Sequence, residues 1–152
     1  MATAIQDTYP DALAQCYGCG RLNEHGLQIK SYVEGDETVC HFRPQPYHMA
    51  VPGYVYGGLI ASLIDCHATG TAAAAMLAAQ GRPLDSLPAV RFLTASLKVD
   101  FLRPTPLDAV LELRGRAREI RGRKVMVEIE LSAAGEVRAR GEVVCVQLPE
   151  NP

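Results

Sequence analysis

Residues 56–65 read Tyr56-Gly57-Gly58-Leu59-Ile60-Ala61-Ser62-Leu63-Ile64-Asp65, and they open the most apolar helical stretch of the chain. The helix pattern continues to about Gln80, where Gly81 is a natural C-cap and Pro83 stands just beyond it. Apolar residues occur on every side of this helix, so it must be covered nearly all round, and the rest of the chain offers mainly strand to cover it. Asp65 is the only acidic residue between Gly58 and Gln80. A carboxylate flanked by Leu63 and Ile64 is desolvated at a cost unless something satisfies or uses it.

Outward from the helix, the C-terminal half divides into four strand-like runs at about 90–102, 109–120, 124–133 and 137–147. Pro104-Thr105-Pro106, Arg121-Gly122 and Gly135 separate them. Short consecutive connections predict antiparallel neighbours. On the N-terminal side, 27–33 and 38–42 read as a hairpin about Glu34-Gly35-Asp36, and Pro44, Pro46, Pro52 and Gly53 then predict an irregular loop. Residues 9–15 predict one short helix before the turn Cys16-Tyr17-Gly18-Cys19-Gly20. The expectation is an α+β fold: one long central helix wrapped by an antiparallel sheet of about six strands. The 152 residues are read as a single domain, with residues 1–26 as an N-terminal extension.

Composition is ordinary for a globular domain, with 48% hydrophobic and 21% charged residues. A net charge of -2 without a basic block argues against nucleic acid as a partner. The first six residues carry neither a basic nor an apolar signal region, so the expected location is the cytoplasm. Asp65, His67 and several Thr and Gly residues interrupt the long helix, which reads as a buried core helix rather than a membrane span. Five cysteines are present, and only Cys16 and Cys19 are close in sequence. A zinc ribbon needs a second pair at matching spacing, and Cys40, Cys66 and Cys145 each stand alone; the expectation is a turn with small buried thiols and no metal.

The start of the helix suits acyl chemistry. Gly57 and Gly58 leave the first turn open to a ligand, where unpaired amides and the helix dipole favour negative charge. Amides aimed at a developing oxyanion contribute about 3 kcal/mol each. Asp65 is then the general base or nucleophile, worth roughly two to four powers of ten in rate. It lies eight residues beyond Gly57, about 12 Å along the axis, so one carbonyl cannot reach both on one helix. Two helices crossing antiparallel at a twofold axis would bring each Gly57 to the other's Asp65, which predicts a homodimer with shared sites. The plainer alternative is that Gly-Gly merely permits close packing and that a hydroxyl or loop backbone satisfies Asp65.

Taken together, these motifs resemble the hotdog-fold acyl-CoA thioesterase superfamily, in its phenylacetyl-CoA thioesterase-like branch. That family carries His-Gly-Gly at the helix start with Asp nine residues after the His, and a Pro-Gly loop before it. The counterparts are Tyr56-Gly57-Gly58, Asp65 and Pro52-Gly53. The strand from Thr94 to Arg103-Pro104, and the Cys-Tyr-Gly-Cys-Gly segment with Asn23 and Gly26-Leu27, also match in pattern. The resemblance implies a hydrolase for acyl-CoA or another acyl thioester, with coenzyme A present only as part of the substrate and no other cofactor. It implies that the Gly57 amide, with Gly58, polarises the thioester carbonyl, and that Thr94 orients the attacking water beside Asp65. Simple alternation places Thr94 with Ser96, Lys98 and Asp100, opposite Leu97 and Val99, so a bulge or a strand-end position is needed to turn it inward.

Two positions depart from the family. Tyr56 stands in place of its His, and a phenol donates but is no base near neutrality. Ala50 stands where some relatives have an Asn. These departures give the alternative reading, a non-catalytic hotdog dimer that binds acyl-CoA or an acyl group. Tyr56 and His48 are counted as substrate-binding candidates, and a dimer of dimers is a further expectation. Ser62 lacks a nucleophile elbow, Cys66 reads as a buried thiol, and His67 lies about 200° round the helix from Asp65. Arg121, Arg123 and Lys124 form a hairpin tip, read as solvated.

Overall fold

The structure, a computed structural model, describes residues 2–149. Six strands, β1 (Tyr32–Glu34), β2 (Glu37–Phe42), β3 (Phe92–Phe101), β4 (Leu111–Arg121), β5 (Lys124–Ala133) and β6 (Glu136–Gln147), form one antiparallel sheet round a single long helix, α1 (Gly57–Ala79). This is the expected hotdog arrangement. The helix stops where its sequence says it should: Gly81 takes φ +67° and the Arg82 amide returns to the Leu77 carbonyl. Gly122 and Gly135 also take positive φ, at the tips of the β4–β5 and β5–β6 hairpins.

The sheet runs in the order β1-β2-β4-β5-β6-β3, which corrects the expectation of neighbours throughout. β3 pairs with β6 and β4 with β2, so the two are not adjacent although only nine residues separate them. The Pro104–Pro106 connection cannot close a hairpin because its backbone is already engaged. Tyr54 bridges to Pro106, and the Val55 amide donates to the Thr105 carbonyl. The connection therefore ties down the approach to α1 and leaves β3 as a sheet edge.

Two smaller expectations also change. The short helix at 9–15 is replaced by 3-10 turns at Ile5–Thr8 and Asp11–Leu13, since seven residues around Pro10 are too few to nucleate an α-helix. Only Tyr32–Glu34 of the first predicted strand pairs with β2. Gln28, at φ +57°, breaks the run, and the segment instead lies against the N-terminal turn through Leu27 to Tyr17 and Ile29 to Gly18 hydrogen bonds.

The core lies between α1 and the concave face of the sheet. Leu111, Leu113, Val127, Ile129 and Leu131 alternate inward along β4 and β5 and meet Leu63, Ile64 and Ala68 of the helix, all buried. Two strand glycines let the helix come close. A Cβ on Gly141 would collide with Ile64 Cγ2, and one on Gly115 would lie 2.8 Å from both Ile129 Cδ1 and Thr71 Oγ1. The apolar helix is thus a core helix, with 78% of its most apolar window buried.

Candidate active site

Tyr56 is the N-cap residue of α1, with extended backbone and no side-chain cap. Its carbonyl accepts from the Leu59 and Ile60 amides, and its own amide donates to the His48 carbonyl. Among the described residues, no acceptor pairs with the amides of Gly57 or Gly58, so both donors stay free at the positive end of the dipole. The Phe101 ring lies 3.5 Å from where a Gly57 Cβ would be. Gly58 plays a different part: the Tyr56 ring folds across it and occupies the space a Cβ would need. The phenol thus covers the first turn while remaining more than half exposed. Beside this turn a groove of about 560 Å³ is lined by Tyr54, Gly57, Ile60, Phe101, Leu102 and Thr105.

Asp65 lies further along the same unbroken helix, partly buried, and the Thr94 hydroxyl donates to its Oδ1. The strand bulge that this contact requires is present. The β3–β6 register shifts between Thr94 and Ser96, leaving Ala95 as an extra residue opposite the step from Cys145 to Val144. Phe92 and Thr94 can therefore turn to the helix, while Leu97 and Val99 keep that face beyond the bulge. Cys145, the cross-strand partner of Thr94, is pushed up to about 12 by burial and by the Asp65 charge, and stays a neutral thiol beside the carboxylate. Thr94 is the only described residue that hydrogen-bonds to Asp65, so Oδ2 remains available.

The structure therefore brings together two groups of candidates: Asp65 with Thr94, and Gly57 with Gly58 and Tyr56. It does not join them within one chain, because Asp65 stands eight residues, about 12 Å, beyond Gly57 along the helix. His48 is set apart from both. Its Nδ1 accepts the Gln45 amide, and its ring packs on Phe42 and Tyr47 in a separate recess. The remaining candidates fall where their spacing placed them. Ser62 donates to the Gly58 carbonyl, and His67 is fully buried on another side of the helix, bonded to Ser31 and Thr38. Arg121 pairs with Glu119, and Arg123 donates to the Gln147 carbonyl. Phe101 against Gly57 is the lining residue that sequence reading missed; its signal was strand parity with Leu97 and Val99.

A carboxylate with one oxygen held and one free can deprotonate water or attack a carbonyl, and two free amides can hold the oxygen of a tetrahedral intermediate. The family described as the thioesterase superfamily matches residues 52–140, a span that contains Gly57, Gly58, Asp65 and Thr94. A crystal structure of a thioesterase superfamily protein from Shewanella loihica PV-4 is 46% identical and covers 93% of this chain and 100% of its own, with a TM-score of 0.69. The E. coli PaaI protein from the phenylacetic acid degradation operon shares the fold at 14% identity, with a TM-score of 0.65. Acyl-coenzyme A thioesterase THEM4 of Bos taurus is 27% identical over 141 residues, which cover 91% of this chain and 53% of that protein. The chain thus spans about half the length of that relative.

Proposed function

The chain belongs to the thioesterase superfamily, and on that premise we propose that it hydrolyses an acyl-CoA, or another acyl thioester, to the free acid and thiol. The observation that carries this reading is the Asp65 carboxylate, held on one oxygen by Thr94 and free on the other, on the helix that begins with two unpaired amides.

The reaction runs across a homodimer. The thioester carbonyl oxygen lies against the Gly57 and Gly58 amides of one chain, next to Phe101 and the Tyr56 phenol. Asp65 of the other chain takes a proton from water through Oδ2 as the water oxygen bonds to the carbonyl carbon. The amides hold the oxyanion, the C–S bond then breaks, and the thiolate leaves and takes up the proton. Attack by the carboxylate itself to form an anhydride uses the same atoms. In either route the Thr94 hydroxyl fixes which carboxylate oxygen faces the substrate. Coenzyme A enters only as part of the substrate, and the five free thiols support a reducing compartment such as the cytoplasm.

The edge strand supports the dimer. Leu93, Leu97 and Phe101 are large apolar side chains exposed along β3, whose outer backbone edge is unpaired. Two dimers associating into a tetramer is compatible with the same pairing.

The test is thiol release over short, long and aromatic acyl-CoAs, with Asp65→Asn as control. Turnover of at least one substrate well above the Asp65→Asn level is expected. If no substrate exceeds the control while acyl-CoA still binds, the chain is instead a non-catalytic acyl-binding dimer, the reading that Tyr56 and Ala50 would favour.

A further inference from the structure

Outside the site described above, the fold assembles a cluster that chain spacing hides. Cys16 and Cys19 come from the N-terminal turn and Cys66 from α1, one residue past Asp65, and their three sulfurs lie within 4.8 Å of one another. We propose that Cys16, Cys19 and Cys66 form a binding site for a thiophilic d10 metal ion, with zinc(II) as the ion of choice.

The sulfur spacing matches the ligand shell of a metal. The Cys16 and Cys66 sulfurs are 3.9 Å apart. Ligands at about 2.3 Å from a tetrahedral zinc are separated by about 3.8 Å, whereas a disulfide closes to about 2.05 Å. A disulfide would also use two thiols and strand the third; a metal uses all of them. The turn is shaped for this approach. A Cβ on Gly18 would collide with the Cys66 sulfur, and one on Gly20 would lie 2.5 Å from the Cys16 amide nitrogen.

Charge points the same way, and independently. Arg91 is 8% exposed, and no carboxylate among the described residues pairs with it; its Nη1 donates to the Phe92 carbonyl, and the ionisable groups that face it are Tyr9 and the three cysteines. Its guanidinium stacks 4.7 Å from the Tyr9 ring centroid, and its Nη2 lies 3.8 Å from Cys19 Sγ. A buried guanidinium needs a negative partner. Three thiolates on a divalent ion carry a net charge of minus one, the complement of Arg91, once the three thiol protons have left to solvent. Cys16, the one half-buried member, gives the ion a way in. A solvent molecule completes the fourth tetrahedral position.

Such an ion would staple the N-terminal segment to α1 beside Asp65. Its test uses the full chain, reduced and stripped with chelator. Cobalt(II) added as probe should give a sulfur-to-cobalt charge-transfer band in the near ultraviolet that saturates at about one equivalent and is bleached by zinc. Cys66→Ser and Cys16→Ser should lose the band, and Cys40→Ser should keep it. Arg91→Met should weaken cobalt binding at least tenfold. If the cysteine variants fail to fold, alkylation of Cys16 in the unaltered chain serves instead, and zinc should slow it at least tenfold. Three results overturn the proposal: no band from the folded, reduced chain; a band that survives Cys66→Ser; or zinc-independent alkylation of Cys16. None depends on whether the chain hydrolyses thioesters.

Discussion

The Thr94 hydroxyl reaches Asp65 Oδ1 because β3 carries one residue too many between Thr94 and Ser96. Thr94→Val should therefore remove the bond without moving the strand. It should lower kcat about tenfold or more with little change in KM, while Asp65→Asn should cost roughly two to four powers of ten. Since the two act as a unit, the double variant should be no slower than Asp65→Asn alone. Steady-state thiol release checks all three, and additive losses would mean that Thr94 works apart from Asp65.

Gly58 and Tyr56 are paired by space. Gly58→Ala should leave stability within about 1 kcal/mol, because the exposed phenol can swing away and Ala suits a helix better than Gly. Thiol release should nonetheless fall as the ring is driven off the first turn. Tyr56→Ala should fall as far, and the double variant no further. Thermal melts beside kinetics separate the two effects.

Burial pushes His67 from 6.5 down to about 4. Between those values the unfolded chain binds a proton that the folded chain refuses, so this group makes stability fall as pH drops through the window and then level off below it. The contribution is about 3 kcal/mol. Urea titrations from pH 7 to pH 4 should give a shallower decline for His67→Gln than for the unaltered chain. Equal slopes would contradict the burial account.

Gly141→Ala should cost about 1–3 kcal/mol, because the new methyl meets Ile64 inside a filled core. Ile64→Ala in the same chain removes the colliding Cγ2, so the double variant should lose less than the sum of the two single losses. A denaturant midpoint that does not move would show that the helix can back away from the sheet.

Leu93→Lys with Leu97→Lys places two charges on the exposed edge strand, clear of the groove that Phe101 lines. Light scattering should show the mass falling to that of one chain, with hydrolysis lost because Gly57 and Asp65 then have no partners across the axis. An active monomer would rule out shared sites.

Much of this was legible in the chain because it is set by local chemistry. Gly81, Gly122 and Gly135 mark their turns through backbone freedom, and the apolar run after Gly58 marks its helix by period. Thr94 was legible as a demand: alternation aimed it outward, and a bulge was the remedy. The sheet order was not, since nothing near Pro104 or Pro106 encodes that their backbone is spent on Tyr54 and Val55. The cysteine cluster was hidden for a related reason. Cys66 stands 47 residues from Cys19 in the sequence, and only the seating of α1 against the N-terminal turn makes them neighbours.

That seating acts as a rotational detent. Ile64 is keyed into Gly141 on one side of Asp65, and Cys66 into Gly18 on the other. Each residue lies about 100° round the helix from the carboxylate. A roll of the helix would lift both side chains out of their notches at once, so the two contacts together fix the direction in which Asp65 points. What this chain can still adjust lies around the axle, at Tyr54, Tyr56, Phe101 and Leu102 beside the first turn, and the axle itself stays where it is.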